Sequence, residues 1–354
     1  MNAAAPLALQ VRAVDLGDAD ERARVDDFIA DHPAGTLFHR PQWSRAIEQG
    51  CGQRAHYLVA ERAGALVGAL PLTEVRSRLF GNALVSVGFA TGGGILADSD
   101  VIARTLAEAG WRSALERGCA SLELRGGPMP DGWVERSGTY ANFARDLPAD
   151  ADALLASIPK RERAEVRRAA GFGLEISIGS DRRHRDAHYS VYAESVRNLG
   201  TPVFPRGLFE AMLDGLGDDS WIVLVSRHGR PLASMLGFDH KGTAQPYWGG
   251  GTAAAREWRA NDLIYFEVMR LGLERGCTRA DFGRSKIGSG PWARKRIWDF
   301  EETPLVYAVR TAAGAAPREV NPQSPRYRLR VEAWKRLPLW LANRLGPGIG
   351  RGLG

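Results

Sequence analysis

The chain has 354 residues, of which 44% are hydrophobic and 25% charged, a balance that is ordinary for a globular protein and excludes a disordered one. Its length exceeds the size at which single hydrophobic cores stop growing, so two domains are expected. The formal net charge of +6 lies entirely in residues 315–354, which hold eight basic and two acidic residues, and the charge therefore does not indicate a general affinity for nucleic acid.

The cysteines favour a reducing compartment. They are odd in number and lack the paired spacing of a metal site, and Cys119 and Cys277 hold equivalent places in a repeated segment, which is typical of small buried hydrophobes. The sequence has no apolar run long enough for a membrane span and does not start with a basic stretch followed by an apolar core. These patterns predict a cytoplasmic protein.

The first fifty residues predict a strand at 7–14, a helix at 20–31 and a short helix that begins at Pro41, because proline suits the first turn of a helix. Phe38 and Trp43 flank that start. Two interpretations stay open for these rings: they fill the core, or they contribute to a substrate cleft.

The most informative pattern is an internal repeat. The string Leu-Glu-Arg-Gly-Cys occurs twice, and a glycine triplet and a hairpin pattern precede both copies at nearly the same spacing. The hairpin pattern consists of two apolar runs around a short glycine turn. Each copy therefore predicts a hairpin, a glycine loop, a helix and a final strand. The repeated parts are the hairpins 60–72 and 225–238, the triplets 92–94 and 249–251, and the strings 115–119 and 273–277.

Two similar lobes follow from the repeat. Apolar residues between 103 and 115 recur every three or four positions, as on a helix that lies on a sheet, and Gly118 and Gly276 suit the ends of the two helices. The sequence predicts an α/β fold of the α+β kind, with a mixed sheet flanked by helices in each lobe. The predicted boundaries are 1–150, 151–314 and a basic amphipathic tail, 315–354.

The segment between the lobes predicts a linker at 148–157 and a basic helix at 158–170, which either is solvated and joins the lobes or contacts a polyanion. Farther on, His184 and His188 have the spacing of two metal ligands on one helical face. The glutamate of a zinc-protease helix is missing and arginines surround both histidines, so no metal site is predicted.

Several loops are candidates for binding. The first glycine triplet forms either a phosphate cradle or a simple turn beside a strand. Asn198 and Thr201 border a loop fixed by glycine and prolines, and they form either a pocket edge or an ordinary loop before a helix that begins near Arg206. Asn261 is expected to cap the helix of the second copy.

The densest polar and aromatic cluster follows the last strand of the second copy. Functional side chains concentrate on loops, so this cluster is the predicted site. It contains Asp281, Arg284, Ser285, Lys286 and Lys295, and Tyr247 and Trp248 precede the second glycine triplet.

These residues carry a resemblance to a known family. The order of hairpin, glycine loop, helix, Asp-Phe-Gly-Arg-Ser at 281–285 and then Lys295, Trp298 and Phe300 resembles the FemAB/FemX-like acyltransferases, which have two tandem lobes of the GNAT fold. The segments 196–206 and 246–251 are similar to a subgroup associated with exosortase and PEP-CTERM systems of exopolysaccharide-producing bacteria. The resemblance extends to about residue 310.

The resemblance implies an acyltransferase of EC class 2.3 without a bound cofactor. The acyl donor would be acyl-CoA, an acyl carrier protein or aminoacyl-tRNA, and the acceptor a small or lipid-linked amine of exopolysaccharide or cell-envelope biosynthesis. Lys295 matches a family lysine at the donor site and is expected to stabilise the oxyanion or bind the donor phosphate. Asp281 would accept or orient the amine. Binding of substrate is expected from Arg284, Ser285, Lys286, Tyr247, Trp248, Asn198 and Thr201.

Two departures from the family pattern bear on the donor. Arg294 stands where the family has an aromatic residue before the lysine, and Asp299 stands where it has a glycine. Both argue against aminoacyl-tRNA as the donor. Two alternatives stay open: a non-catalytic binding or scaffold protein of a polysaccharide export system, and an aminoacyl-tRNA-dependent peptidyltransferase.

The tail has an amphipathic pattern. Trp334, Leu337, Leu341 and Leu345 fall on one helical stripe, although Pro338 must kink or break the helix. Residues 326–354 therefore either contact the inner membrane peripherally, as suits a lipid-linked acceptor, or pack on the second lobe.

Overall fold

The structure is a computed structural model that describes residues 8–77, 79–315, 318 and 325–354, with the side chains of 325–328 outside the description. The chain divides into two compact units, one made of residues 1–137, 306–320 and 351–354 and the other of 138–305 and 321–350. Leu7 of the predicted first strand and residues 316, 317 and 319–324 of the predicted tail lie outside the described residues.

The first unit is a mixed sheet with the order β1-β2-β3-β4-β6-β15-β7, in which β5 pairs with β3. Its main core lies between this sheet and α3, where Leu70, Leu106 and Leu122 are fully buried. The elements are β1 (Gln10–Ala13), α1 (Ala19–Asp31), α2 (Pro41–Cys51), β2 (Arg54–Arg62), β3 (Ala65–Ser77), β4 (Gly81–Ser86), β5 (Leu96–Ala97), α3 (Asp100–Glu116), β6 (Ser121–Arg125), β7 (Val134–Arg136) and β15 (Tyr307–Thr311).

The second unit has a mixed sheet with the order β14-β8-β13-β12-β11-β10-β9, with helices on both faces. The elements are β8 (Tyr140–Asp146), α4 (Ala151–Ser157), α5 (Lys160–Ala170), β9 (Glu175–Gly179), α6 (Arg182–Leu199), α7 (Arg206–Leu216), β10 (Ser220–Arg227), β11 (Arg230–His240), β12 (Thr243–Gly251), α8 (Ala260–Glu274), β13 (Arg279–Lys286), α9 (Gly290–Ile297), β14 (Glu301–Pro304), α10 (Pro325–Lys335) and α11 (Leu339–Gly350).

The predicted duplication is confirmed. Each unit has an antiparallel hairpin, β2–β3 or β10–β11, that continues into a third strand, a helix and a fourth strand parallel to the third. Both hairpins turn through two residues with positive φ, Ala63-Gly64 and His228-Gly229, because such turns match the twist of the strands they join. The α+β fold with two mixed sheets flanked by helices is therefore as predicted.

The unit boundary differs from the predicted one at residue 150. β8 pairs with β13 in the second sheet, whereas β15 returns to the first sheet and pairs with both β6 and β7. The second sheet thus includes β8, which follows the other strands of the first repeat in sequence. The first sheet includes β15, which follows the strands of the second repeat. An open sheet edge leaves backbone groups without hydrogen bonds, and the exchanged strands satisfy those groups.

The predicted linker is also corrected. Residues 151–157 form α4, which Asp150 caps through the N–H of Ala153 and which buries Leu154 completely in the core of the second unit. α5 follows as predicted. Its apolar side packs in the same core through Val166 and Ala169, while its arginines face outward, so it belongs to the second unit and is more than a solvated connection.

The remaining helices mostly agree with the sequence. α1, α2, α7 and the two repeat helices occur where predicted, Phe38 and Trp43 are buried in the core, and the three cysteines are buried and free. Asn261 does not cap α8, because the helix starts after Arg259 in a left-handed conformation. The tail breaks at Pro338 into α10 and α11, which pack on the second unit.

The described residues contain neither a possible metal site nor a helix that could span a membrane. Nowhere in them does a cluster of histidine, cysteine, aspartate and glutamate form a possible metal site; His184 binds Asp181, and His188 is buried against Ser234. In the same part of the chain, none of the helices is both long and apolar enough to cross a bilayer.

Candidate active site

The second sheet opens beside β12. This strand pairs with the parallel strand β13 only at Thr243 and Ala244, whereas β13 pairs with β8 on its other side from Arg279 to Lys286. Residues 245–251 of β12 keep antiparallel hydrogen bonds to β11, but no ladder to β13 continues. One backbone edge of β12 is therefore left without a strand partner.

A cavity of about 700 Å³ lies at this end of β12. It extends from α6 on one face of the sheet to α8 and the start of α9 on the other. The cavity is lined by Ser195, Asn198, Leu199, Met235, Gly249, Gly250, Gly251, Thr252, Ala253, Arg256, Asn261, Ile264, Tyr265, Gly290, Pro291 and Arg294.

The second glycine triplet forms one wall of the cavity. A Cβ on Gly250 would lie 2.1 Å from Ser195 Oγ, and a Cβ on Gly251 would lie 2.3 Å from Asn261 Oδ1. Since neither position has room for a side chain, the bare backbone approaches α6 and α8 closely. A β-bulge at Tyr247, which has no register partner on β11, bends the strand just before the triplet.

The cavity has a basic rim. Arg256 is exposed, and neither a hydrogen bond nor an ion pair is found for it among the described residues. The N-terminal turns of α8 and α9 also line the cavity, through Asn261 and through Gly290 and Pro291, and helix N-termini attract anions. This arrangement suits a ligand that carries phosphate or carboxylate.

Arg294 has a different role on the same rim. It forms an ion pair with the buried Asp262 of α8, and its guanidinium lies 5.5 Å from the ring centre of Tyr265 and 5.8 Å from that of Trp298. The pair fixes the start of α9 against α8. The residue that departs from the family pattern therefore shapes the cavity.

Tyr265 is the cavity-lining residue best suited to proton transfer. Its ring packs 4.8 Å from that of Phe282 and 5.2 Å from that of Trp298, measured between ring centres. Burial raises the pKa of its phenol above the ordinary value, and nearby Arg294 opposes the shift. The phenol is consequently protonated at neutral pH and can act as a proton donor.

Lys295 and Asp281 meet at a second β-bulge. Lys295 is 6% exposed, and its Nζ donates to the carbonyls of Phe282 at 2.5 Å and Gly283 at 3.0 Å. Asp281 accepts from the N–H of Gly283 at 2.8 Å and from Asn142 at 2.9 Å. These contacts hold the part of β13 where its register with β8 shifts.

Burial opposes charge on both groups of this cluster. It lowers the pKa of Lys295 to about 7, although Asp281 acts in the opposite direction, and it raises the pKa of Asp281 despite the two hydrogen bonds. Lys295 is absent from the cavity lining, and its described hydrogen bonds go to backbone carbonyls. Its predicted part in the reaction stays a hypothesis, and its contacts support β13 where the sheet opens.

The other predicted residues are spread over the second unit. Asn198 lines the cavity. Thr201 lies past the end of α6, where its N–H donates to the carbonyl of Val196 at 2.9 Å. Trp248 is 6% exposed and packs edge-on against Phe209 and Phe238, so it occupies the core instead of the cavity wall.

Four further predicted residues lie on β13 or at the bulge of β12, outside the cavity lining. Arg284 stacks over the ring of Tyr140 at 4.9 Å, and Ser285 is buried opposite Ala141. Lys286 pairs with Tyr140 in the register, and Tyr247 contacts the ring of Trp248 at 4.9 Å between centres. The structure therefore brings only Asn198 of the nine predicted residues to the cavity lining.

Most of the residues that line the cavity were not predicted from the sequence. Ser195, Arg256, Asn261 and Tyr265 lie on helices or in the loop before α8, away from the dense polar cluster that attracted the prediction. One pattern in the sequence could have indicated the cavity: the second glycine triplet comes shortly before Arg256 and the start of α8. Glycines beside a helix N-terminus are where a backbone approaches a ligand.

The first glycine triplet lies in a packed setting. A Cβ on Gly94 would be 1.8 Å from the carbonyl oxygen of Gly126, the ring of Phe38 lies against Gly92, and the Cβ of Phe38 lies against Gly93. Its close contacts are thus with the protein itself. This favours the interpretation of a packed turn over that of a phosphate cradle.

Comparison with known proteins agrees with this geometry. Residues 158–294 match the sequence model of a family described as an acetyltransferase (GNAT) domain, and this stretch includes every residue that lines the cavity. No curated protein sequence matches the chain.

Solved structures share the fold over nearly their whole length. FemX is similar with a TM-score of 0.65 at 15% identity, over 84% of this chain and 96% of FemX. A tandem GNAT protein from the clavulanic acid biosynthesis pathway is similar with a TM-score of 0.57 at 16% identity, over 87% of this chain and all of that protein. L-PGS from Bacillus licheniformis is similar with a TM-score of 0.54 at 14% identity, over 96% of this chain and 99% of L-PGS. The chain thus has the tandem GNAT fold.

Proposed function

We propose that the chain is a FemAB-like N-acyltransferase that transfers an acyl or aminoacyl group to an amine in the cavity of the second unit. The observation that carries this proposal is the cavity itself, which lies where the parallel strands β12 and β13 part, within the segment that matches the GNAT domain. The unpaired edge of β12 offers amide groups to a ligand in the way that a sheet edge binds an extended peptide.

The donor is expected to carry both amides and phosphate. The strand edge suits the amide-containing arm of acyl-CoA or of an acyl carrier protein, and Arg256 with the two helix N-termini suits phosphate. Aminoacyl-tRNA shares the phosphate but lacks the amide arm. Acyl-CoA and acyl carrier protein are therefore the preferred donors.

In the proposed reaction, a neutral amine attacks the carbonyl carbon of the donor, the new C–N bond forms, and the C–S bond of the thioester breaks. Backbone N–H groups of the glycine triplet are the candidates to stabilise the tetrahedral oxyanion, a contribution of about 3 kcal/mol for one well-placed donor. Tyr265 would protonate the leaving thiolate. The amine proton then passes to solvent or back to the phenolate.

A role in exopolysaccharide or cell-envelope biosynthesis at the cytoplasmic side is part of the proposal. It rests on the likeness of segments 196–206 and 246–251 to the exosortase-associated subgroup. The acceptor would be an amino sugar or another amine of an envelope precursor.

One observation favours a second candidate, the tRNA-dependent peptidyltransferase. Lys160, Arg161 and Arg167 are exposed on α5, outside the cavity lining, and could contact a polyanion. Binding of tRNA that weakens steeply with salt, and weakens further when these three residues are replaced by glutamine, would support this candidate.

The test is acyl transfer from acyl-CoA, acyl carrier protein and aminoacyl-tRNA donors to amino-sugar acceptors, followed by thiol release. Replacing Arg256 with alanine should raise KM for a phosphate-bearing donor about tenfold, because a charge-assisted contact is lost, and should leave Tm unchanged. Arg112→Ala removes an exposed arginine of α3 and should behave as the wild type. Failure of all three donor classes to give product would refute the transferase and favour a binding or scaffold role.

A further inference from the structure

The last helix, α11, has an inner and an outer face. Its inner face consists of the small residues Ala342, Gly346 and Gly350, all buried. A Cβ on Gly346 would lie 2.8 Å from a methyl of Val203, and one on Gly350 would lie 2.5 Å from the carbonyl oxygen of Val203. This stripe packs the helix against the loop between α6 and α7.

The outer face of α11 carries large apolar and basic side chains. Trp340 is 69% exposed and Leu345 is 46% exposed, and Arg344 is exposed between them. At 100° per residue these three side chains lie opposite the small-residue stripe. The sequence has no acidic residue after Glu332, so this face has a single sign of charge.

The neighbouring helix α10, which also packs on α6, exposes apolar and basic side chains too. Leu329 is 79% exposed, more than any other large hydrophobic side chain of the described residues. Arg336, directly after the helix, is also exposed. Isolated protruding tryptophan and leucine side chains among basic ones are typical of a helix that lies in a membrane interface. Tryptophan in particular prefers the headgroup level.

The surface lies beside the rim of the cavity. α10 contacts the end of α6, because a Cβ on Gly200 would be 2.5 Å from a methyl of Val331 and Arg197 donates to the carbonyl of Lys335. Asn198 and Leu199, directly before Gly200, line the cavity, and Leu199 is itself 55% exposed. Apolar exposure thus extends from the tail helices to the cavity.

We propose that α10 and α11 form a docking surface for an anionic phospholipid bilayer. Trp340, Leu345 and Leu329 would insert at the level of the headgroups, and Arg336 and Arg344 would contact lipid phosphates. Charge complementarity selects this partner, since Glu332, the one acidic residue of α10 and α11, is paired with Lys335, and exposed Arg336 and Arg344 leave the surface with a net positive charge. Its apolar side chains protrude singly instead of forming the flat patch of a protein interface. Docking would place the cavity next to lipid-linked substrates.

Membrane docking is independent of the proposed acyl transfer, and its test does not need activity. The probes are vesicles of phosphatidylcholine alone and vesicles that also contain phosphatidylglycerol, and the measurement is flotation of the full chain. The wild type should float with the anionic vesicles and much less with the neutral ones, and added salt should release it.

Two variants and a control assign the binding to this surface. The double change W340S with L345S, and separately R336E with R344E, should each reduce binding to anionic vesicles at least about fivefold. Because all four side chains are exposed, Tm should not change. V134S removes a side chain that is 64% exposed on β7 of the first unit and should bind as the wild type.

Two outcomes would overturn the proposal. One is a wild type that does not float with anionic vesicles, or variants that bind them as strongly as the wild type. The other is a concentration-dependent dimer that W340S dissociates, without vesicle binding, which would assign the outer face to a second copy of this chain.

Discussion

At the scale of single residues, the wall of the cavity depends on two glycines whose neighbours leave no room for a side chain. A Cβ on Gly250 would lie 2.1 Å from Ser195 Oγ, and one on Gly251 would lie 2.3 Å from Asn261 Oδ1, both shorter than real Cβ contacts. A glycine triplet in a sequence is often taken as a flexible loop. Here the triplet ends strand β12, and the absence of side chains lets its backbone approach α6 and α8 closely.

Gly251→Ala should therefore damage the site. The new methyl would lie 2.3 Å from Asn261 Oδ1 and 2.8 Å from the Cβ of Ala255, so the Asn261 side chain and the turn at Ala255 must shift, at a cost of about 1–3 kcal/mol of stability. We expect acyl transfer to fall at least about tenfold, as measured by kcat/KM, because a small displacement of catalytic groups is sufficient for such a loss.

The matched control for stability is Gly290→Ala in the same cavity. No protein atom lies within 4 Å of the added methyl, and the residue begins a helix, so the free energy of unfolding should be retained. Equal effects of the two substitutions would contradict the role of close backbone approach.

Lys295→Met tests whether the buried amine supports the strand or takes part in the reaction. The substitution leaves the carbonyls of Phe282 and Gly283 without their donor, so we expect a loss of about 2–4 kcal/mol in the free energy of unfolding at pH 8. Loss of at least about tenfold in turnover with unchanged stability would instead place the amine in the reaction.

The same substitution has a predicted pH dependence. The pKa of Lys295 is lowered to about 7 in the folded protein, below the value of about 10.4 in an unfolded chain, so the unfolded state binds more protons between these values. Stability of the wild type relative to Lys295→Met should accordingly rise as the pH increases from about 7 to about 10. Denaturant unfolding of both proteins across this range measures the difference, and parallel curves would contradict the lowered pKa.

At the scale of elements, local patterns predicted which segments are helix and which are strand, but they did not predict all packing partners. The hairpins, α3 and α8 follow from apolar periodicity and turn residues, which act over short distances. α4 was missed because its seven alanine-rich residues are too few to show an apolar stripe, and Leu154 and Leu155 hold it against the core. The last two helices were separated correctly at Pro338, whereas their contacts with α6 required the fold.

Gly346→Val tests the packing of α11. The added side chain would meet Val203 within 2.8 Å, so we expect the helix to lose about 1–3 kcal/mol of local stability. Hydrogen exchange of residues 339–350 should accelerate while the strands of the second sheet stay protected. Gly348→Ala is the control, because nothing lies within 4 Å of its new methyl and alanine favours a helix. Unchanged exchange in Gly346→Val would show that the stripe does not hold α11.

At the scale of the whole molecule, the first unit completes its sheet with β15, a strand that follows the main segment of the second unit in sequence. Ala308 is 4% exposed and pairs with Leu124 on one side and Glu135 on the other, so β15 is an interior strand of the first sheet. The first unit is consequently incomplete until the chain beyond residue 305 has been made. Such long-range pairing is costly in loop-closure entropy and slows folding.

Ala308→Pro should therefore unfold the first unit selectively. Proline removes a backbone donor from an interior strand and costs about 3 kcal/mol or more. Hydrogen exchange should show loss of protection at 54–77 and 121–125, with residues 220–251 still protected as an internal reference. Retained protection in the first unit, or equal loss in both, would contradict the exchange of strands as the source of its stability.

The sequence by itself determined the duplicated α+β lobes, because apolar periodicity, turn residues and a repeated string are local properties that can be recognised before the fold is known. Tertiary structure decided the exchange of β8 and β15, the position of the cavity and the structural use of Lys295. Strand pairing joins residues far apart in sequence, and the apolar pattern of a strand does not indicate which other strand it pairs with. The cavity exists where two parallel strands part, so it is lined by residues whose proximity only the folded backbone creates.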